Sequence, residues 1–151
     1  MSARVLSIAV LVVRVGLGAV FIAAGGLKMG HFAQFAQEIA AFRLLPRPLV
    51  APLAILLPFV EIAVGALLIA GLYTRIAATI AAIMLFVFDA AIASAVMRGL
   101  QLSCGCFGPN DTSVTTWAEV GRDAIFVALA VFVAVLPPGP LSLDRRMRNV
   151  S

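Results

Sequence analysis

The sequence predicts an all-α integral membrane protein: a four-helix bundle with an amphipathic interfacial helix between its first and second spans. Three observations predict it. Of the 151 residues, 63% are hydrophobic and 12% charged, and the mean hydropathy is +1.12, well outside the range of globular domains. The apolar residues gather into four runs of roughly 20, the length a helix needs to cross a hydrocarbon core of about 30 Å. The polar break between the last two runs holds the only two cysteines, Cys104 and Cys106. The chain 1–151 reads as one transmembrane domain, with spans at about 5–27, 49–71, 76–97 and 117–136.

The first span, about Val5 to Leu27, contains Arg14. A signal peptide is the competing reading, because Arg4 precedes the apolar run and Ala23 and Ala24 follow it, but the run is too long for a typical one. Next, Phe32, Phe35, Ile39 and Phe42 recur at helical spacing among Gln34, Gln37, Glu38 and Arg43. That pattern predicts a helix lying in the membrane interface, either as a lid or as a plain connection. The second span, about Leu49 to Gly71, includes Pro52 and Pro58, and the third runs from about Ile76 to Met97. Ala77, Ala78, Ala81 and Ala82 let helix backbones approach closely in lipid. The fourth span starts at Trp117, behind a Thr116-x-x-Glu119 capping box, and stops before Pro137-Pro138-Gly139-Pro140. Asn110-Asp111-Thr112 matches a glycosylation sequon, a pattern too short to carry weight.

A net charge of +4 does not point to nucleic acid here, because the Lys and Arg residues are scattered. Arg4, Arg75, Arg145, Arg146 and Arg148 flank spans on the side of the termini, and Lys28, Arg43, Arg47 and Arg98 on the cysteine side. The basic tail, together with the dithiol, predicts cytoplasmic termini and an extracytoplasmic cysteine loop in the cell membrane. Arg14, Glu61, Asp89, Arg122 and Asp123 fall inside spans, where unpaired charge costs several kcal/mol, so they are expected to form a buried polar network. By depth, at about 1.5 Å per residue, Arg14 is expected between Glu61 and Asp89, with a carbonyl freed by Pro58 nearby. Such a network either fixes helix register or handles protons or a cofactor.

Cys104-Gly105-Cys106-Phe107-Gly108 is the chemical centre of the sequence. Two thiols one glycine apart can close a small, strained ring that is easily reduced, which suits exchange better than stapling. Arg98 and Arg122 are expected to flank the loop and favour thiolate. A closed zinc site is excluded, because His31 is the one histidine and there is no third thiol. Cuprous copper stays open, with Met29 and Met97 expected near the same face, as do inert loop cysteines. The reading that leads is a thiol-disulfide oxidoreductase with Cys104 and Cys106 catalytic, taking electrons from an extracytoplasmic thioredoxin-like protein or a substrate thiol protein. A quinone or another protein would then reoxidise the pair. The rival is a non-enzymatic membrane subunit that anchors or assembles a redox complex.

Cys-Gly-Cys-Phe-Gly between spans three and four, with Arg14, Phe21, Gly26 and Lys28, Leu44-Leu45-Pro46, Leu57-Pro58, Glu61 and Arg122-Asp123, resembles the MauE branch of the DoxX-like membrane proteins. The resemblance runs from about Arg14 to Asp123. It implies a four-helix membrane bundle and a link to methylamine utilisation, through maturation of the disulfide-rich small subunit of methylamine dehydrogenase.

Overall fold

The computed structural model describes residues 3–103, 114–137, 139 and 141–148. Its helices are α1 (Ala3–Lys28), α2 (Phe32–Ala41), α3 (Arg47–Ala70), α4 (Thr74–Met97), α5 (Trp117–Val135) and α6 (Leu143–Arg148). The described residues form no strand, only an isolated antiparallel bridge between Ser103 and Val114. By length and composition α1, α3 and α4 are apolar enough to cross a membrane. The shorter α5 carries Glu119, Arg122 and Asp123 in its first two turns.

Small residues set how the helices meet. α1 packs chiefly on α3 and α4 on α5, while α3–α4 and α1–α5 contacts join the pairs. A Cβ built on Gly18 would lie 2.8 Å from the Gly65 carbonyl, and one on Gly65 would lie 2.6 Å from the Gly18 carbonyl, so the two backbones touch where neither residue has a side chain. The alanine face of α4 behaves as its sequence predicts. Ala77, Ala78 and Ala81 are fully buried against Leu68, Ala130 and Val133 in the main apolar cluster. Large apolar residues such as Val12, Leu56, Phe59, Ile83, Phe86 and Ile125 point outward, as lipid-facing side chains do.

Helix boundaries follow local chemistry. α3 opens behind Pro46, with Pro48 in its first turn, where a missing N–H costs nothing. It ends at Gly71, whose φ of 67° turns the chain left-handed while Leu72 N–H returns to the Leu67 carbonyl. The expected capping box on α5 does not form: Thr116 makes no side-chain cap, and Glu119 pairs with Arg122 instead. A partner that is itself charged, one turn along, has outcompeted the backbone N–H.

The amphipathic segment is a helix as expected, α2. It buries Phe35, stacks Phe32 on Phe59 of α3 with centroids 6.3 Å apart, and just past its end the Phe42 carbonyl accepts from Arg98, the residue after α4 (2.7 Å). After Pro137, the C-terminal segment folds back over the start of α4, where the Asp144 N–H donates to the Gly71 carbonyl at 3.0 Å.

A buried ion pair beneath α2

Lys28 is the last residue of α1 and lies on the face of Ala24 and Phe21, one and two turns back. That spacing carries it under α2, where it is 2% exposed. Its ammonium donates to both oxygens of Glu61, at 2.7 and 3.0 Å. It also lies 5.2 Å from the Phe35 ring centroid and 5.9 Å from that of Phe88, within cation–π range. Phe35, the buried residue of α2, therefore covers the ammonium from that side. Glu61 does not meet Arg14 or Asp89. The expected Arg14–Glu61–Asp89 grouping gives way to Lys28, whose long stem lets the ammonium reach down from the helix end.

A cavity of about 60 Å³ adjoins the pair, lined by Phe21, Lys28, Glu61, Phe88, Arg122 and Asp123 among others. It suits water or another very small molecule, being well below the roughly 150 Å³ that takes one aromatic ring. On its far wall Arg122 Nε donates to Asp123 at 3.0 Å and the guanidinium also pairs with Glu119. Asp123 is 7% exposed. Asp89, on α4, lies within electrostatic reach of Asp123 and keeps a buried Oδ1 without a hydrogen-bond partner. Two ion pairs, Lys28–Glu61 and Arg122–Asp123, thus face one small space whose remaining walls are mostly apolar.

Arg14 lies apart from this site. It is 1% exposed beside Gly71, and its Nη2 donates to the Leu141 carbonyl at 3.5 Å. Arg98 donates to the carbonyls of Ser94 and Phe42. Lys28 is the residue that reading the sequence missed as a site member. The signal for Lys28 was present in its helical register with Phe21.

Cys104 and Cys106 lie outside the described residues, which stop at Ser103 and resume at Val114. The neck between those points is firmly tied. Thr115 N–H donates to the Leu102 carbonyl (2.9 Å), and its hydroxyl donates to the Leu100 carbonyl (2.9 Å) while accepting from Leu102 N–H (3.2 Å). Thr115 is 4% exposed.

A family model described as methylamine utilisation protein MauE matches residues 6–136. A methylamine utilization protein MauE of Paracoccus denitrificans is 37% identical over 133 residues, covering 86% of this chain and 72% of that protein. Its counterpart in Paracoccus versutus is 38% identical over 123 residues, covering 81% and 66%. The Methylorubrum extorquens protein of that name is 32% identical over 116 residues, covering 75% and 62%, so the chain spans about two thirds of the length of some relatives. No solved structure matches. The chain belongs to the MauE family.

Proposed function

We propose that this MauE-family chain is a membrane thiol-disulfide oxidoreductase or maturation factor that works in methylamine utilisation through Cys104 and Cys106. In this reading α5 joins α1, α3 and α4 as a fourth span of a single four-helix domain, with the termini cytoplasmic and the cysteine loop extracytoplasmic. The observation that carries it is the tied neck Leu102–Thr115, which fixes both ends of the Cys-Gly-Cys loop at the mouth of α4 and α5. Arg122 sits five residues beyond Trp117, about 8 Å along α5. Its guanidinium is shared by Glu119 and Asp123, so the reading rests on the neck and the two thiols, whose thiolate is the attacking species in exchange.

The exchange balances. A partner thiolate attacks the Cys104–Cys106 disulfide, that S–S bond breaks, and a mixed disulfide forms. The partner's second thiol then displaces the chain. Two electrons and two protons pass to Cys104 and Cys106, and the partner leaves with a disulfide. A thioredoxin-like or disulfide-rich partner fits this step. Another protein's disulfide, or a quinone, would take up those electrons and return the pair to the oxidised form.

The test is trapping. Cys104→Ser or Cys106→Ser leaves one thiolate that can attack the disulfide of the oxidised partner, the reverse direction of the same exchange, but no second thiol in the chain to expel the partner, so a mixed disulfide accumulates and dissolves on reduction. If neither variant traps a partner and the double serine variant keeps its phenotype, the thiols are structural and the chain is an assembly subunit. Tight cuprous copper binding lost in both variants would instead assign metal handling.

A further inference from the structure

Two positive features converge where the C-terminal segment crosses the start of α4. One is the guanidinium of Arg14, 1% exposed, whose Nε and Nη1 have no hydrogen-bond partner. The other is the amino end of the 24-residue helix α4, where Tyr73 and Thr74 N–H each donate at 2.8 Å to the Asp144 carboxylate. A helix of that length carries roughly half a positive charge at its start, so one carboxylate faces about one and a half positive charges. Its two oxygens are engaged by the helix, leaving two buried guanidinium nitrogens, Nε and Nη1, unserved, and a buried unpaired donor is costly.

The geometry points to a seat for a phosphate group at Arg14, Tyr73 and Thr74, in which Asp144 is an exchangeable stand-in supplied by the chain itself. A tetrahedral phosphate has enough oxygens to accept from both helix N–H groups and from the fork of Arg14, which a carboxylate does not manage here. Asp144 and a phosphate repel one another, so binding is exchange. The segment that would move exposes Leu141 (76%), Leu143 (42%) and Met147 (51%), while Ser142 is buried and the Asp144 N–H donates to the Gly71 carbonyl. In sequence it carries Arg145, Arg146 and Arg148. Exposed apolar residues and arginines together have their own affinity for an anionic leaflet, so a lipid headgroup is the favoured source of the phosphate. Free inorganic phosphate shares the chemistry.

Full-length chain in nanodiscs of phosphatidylglycerol or phosphatidylcholine, read by native mass spectrometry of retained lipid, separates the sources. Asp144→Ala is expected to hold phosphatidylglycerol about tenfold more tightly than the parent, the gain when a competitor that fills the seat nine times in ten is removed. Adding Arg14→Gln should abolish that gain, with phosphatidylcholine unaffected throughout. In lipid-free detergent, a saturable rise in the melting temperature of Asp144→Ala with inorganic phosphate, absent in Asp144→Ala/Arg14→Gln, would assign free phosphate instead. Asp144→Asn and Arg14→Lys, milder changes, should show the same order if the alanine or glutamine variants do not fold. Equal retention of both lipids by parent and variants, with no phosphate response, overturns the seat.

Discussion

Two cations are buried on the same helix, and they are treated differently. Lys28 is held by both oxygens of Glu61 and two aromatic rings. Arg14, at least as deeply buried, has one long hydrogen bond and two nitrogens without a partner. A fully compensated buried charge holds helices in register, and removing its partner leaves the charge exposed to a low dielectric. An incompletely compensated one is a place where something else can bind. The contrast separates a structural centre, shared by α1, α3 and α2, from an exchangeable contact nearer the middle of α1.

The largest effect expected from breaking this contrast is at Glu61. Glu61→Gln should destabilise the chain in detergent by about 3 to 5 kcal/mol, because Lys28 then has no counter-charge. Replacing both partners, with Lys28→Met and Glu61→Leu, should cost less than either single change. Additive losses measured by thermal unfolding would show that the two do not act as a pair. A smaller loss, about 0.5 to 2 kcal/mol, is expected for Phe35→Leu, which keeps the apolar packing of α2 and removes one ring from the ammonium. Faster amide exchange confined to α2 would locate that loss there.

Smaller again is the effect of Asp144→Asn, which weakens the cap on α4 by about 1 kcal/mol. Its pH dependence has a fixed sign. Burial pushes the Asp144 carboxyl up, but hydrogen bonds from Thr74 and Tyr73 and the charge of Arg14 more than offset this and hold it below the ordinary carboxylate range. A depressed carboxyl contributes stability that is full above its unfolded value and fades as pH falls through its folded value. The stability gap between parent and Asp144→Asn should therefore be flat near neutrality and close in acid. A gap that widens on acidification would contradict the cap.

What could be read without coordinates was what repeats along the chain. The apolar runs gave α1, α3 and α4; the Phe32, Phe35, Ile39 spacing gave α2; and the alanines of α4 gave its packed face. The pairing of charges could not be read the same way, because depth along a span does not say which side chains reach one another. Lys28, counted as a charge flanking a span, bends inward on a long stem to meet Glu61. Arg14 meets a segment more than a hundred residues away, beyond a run of prolines that breaks any periodic signal. The capping box failed for a local reason: Glu119 had a charged neighbour one turn on.

The functional account stands on the reversibility of the Cys104–Cys106 pair. An equilibrium redox titration of the purified chain against a thiol buffer, read by alkylation and mass, tests it most directly. A disulfide joining Cys104 to Cys106 is expected, with a potential well above the roughly −300 mV below which structural disulfides lie, because a ring closed across one residue is strained. Thiols that stay reduced across the titration, or a disulfide that resists reduction at the potential of a structural bridge, would contradict it.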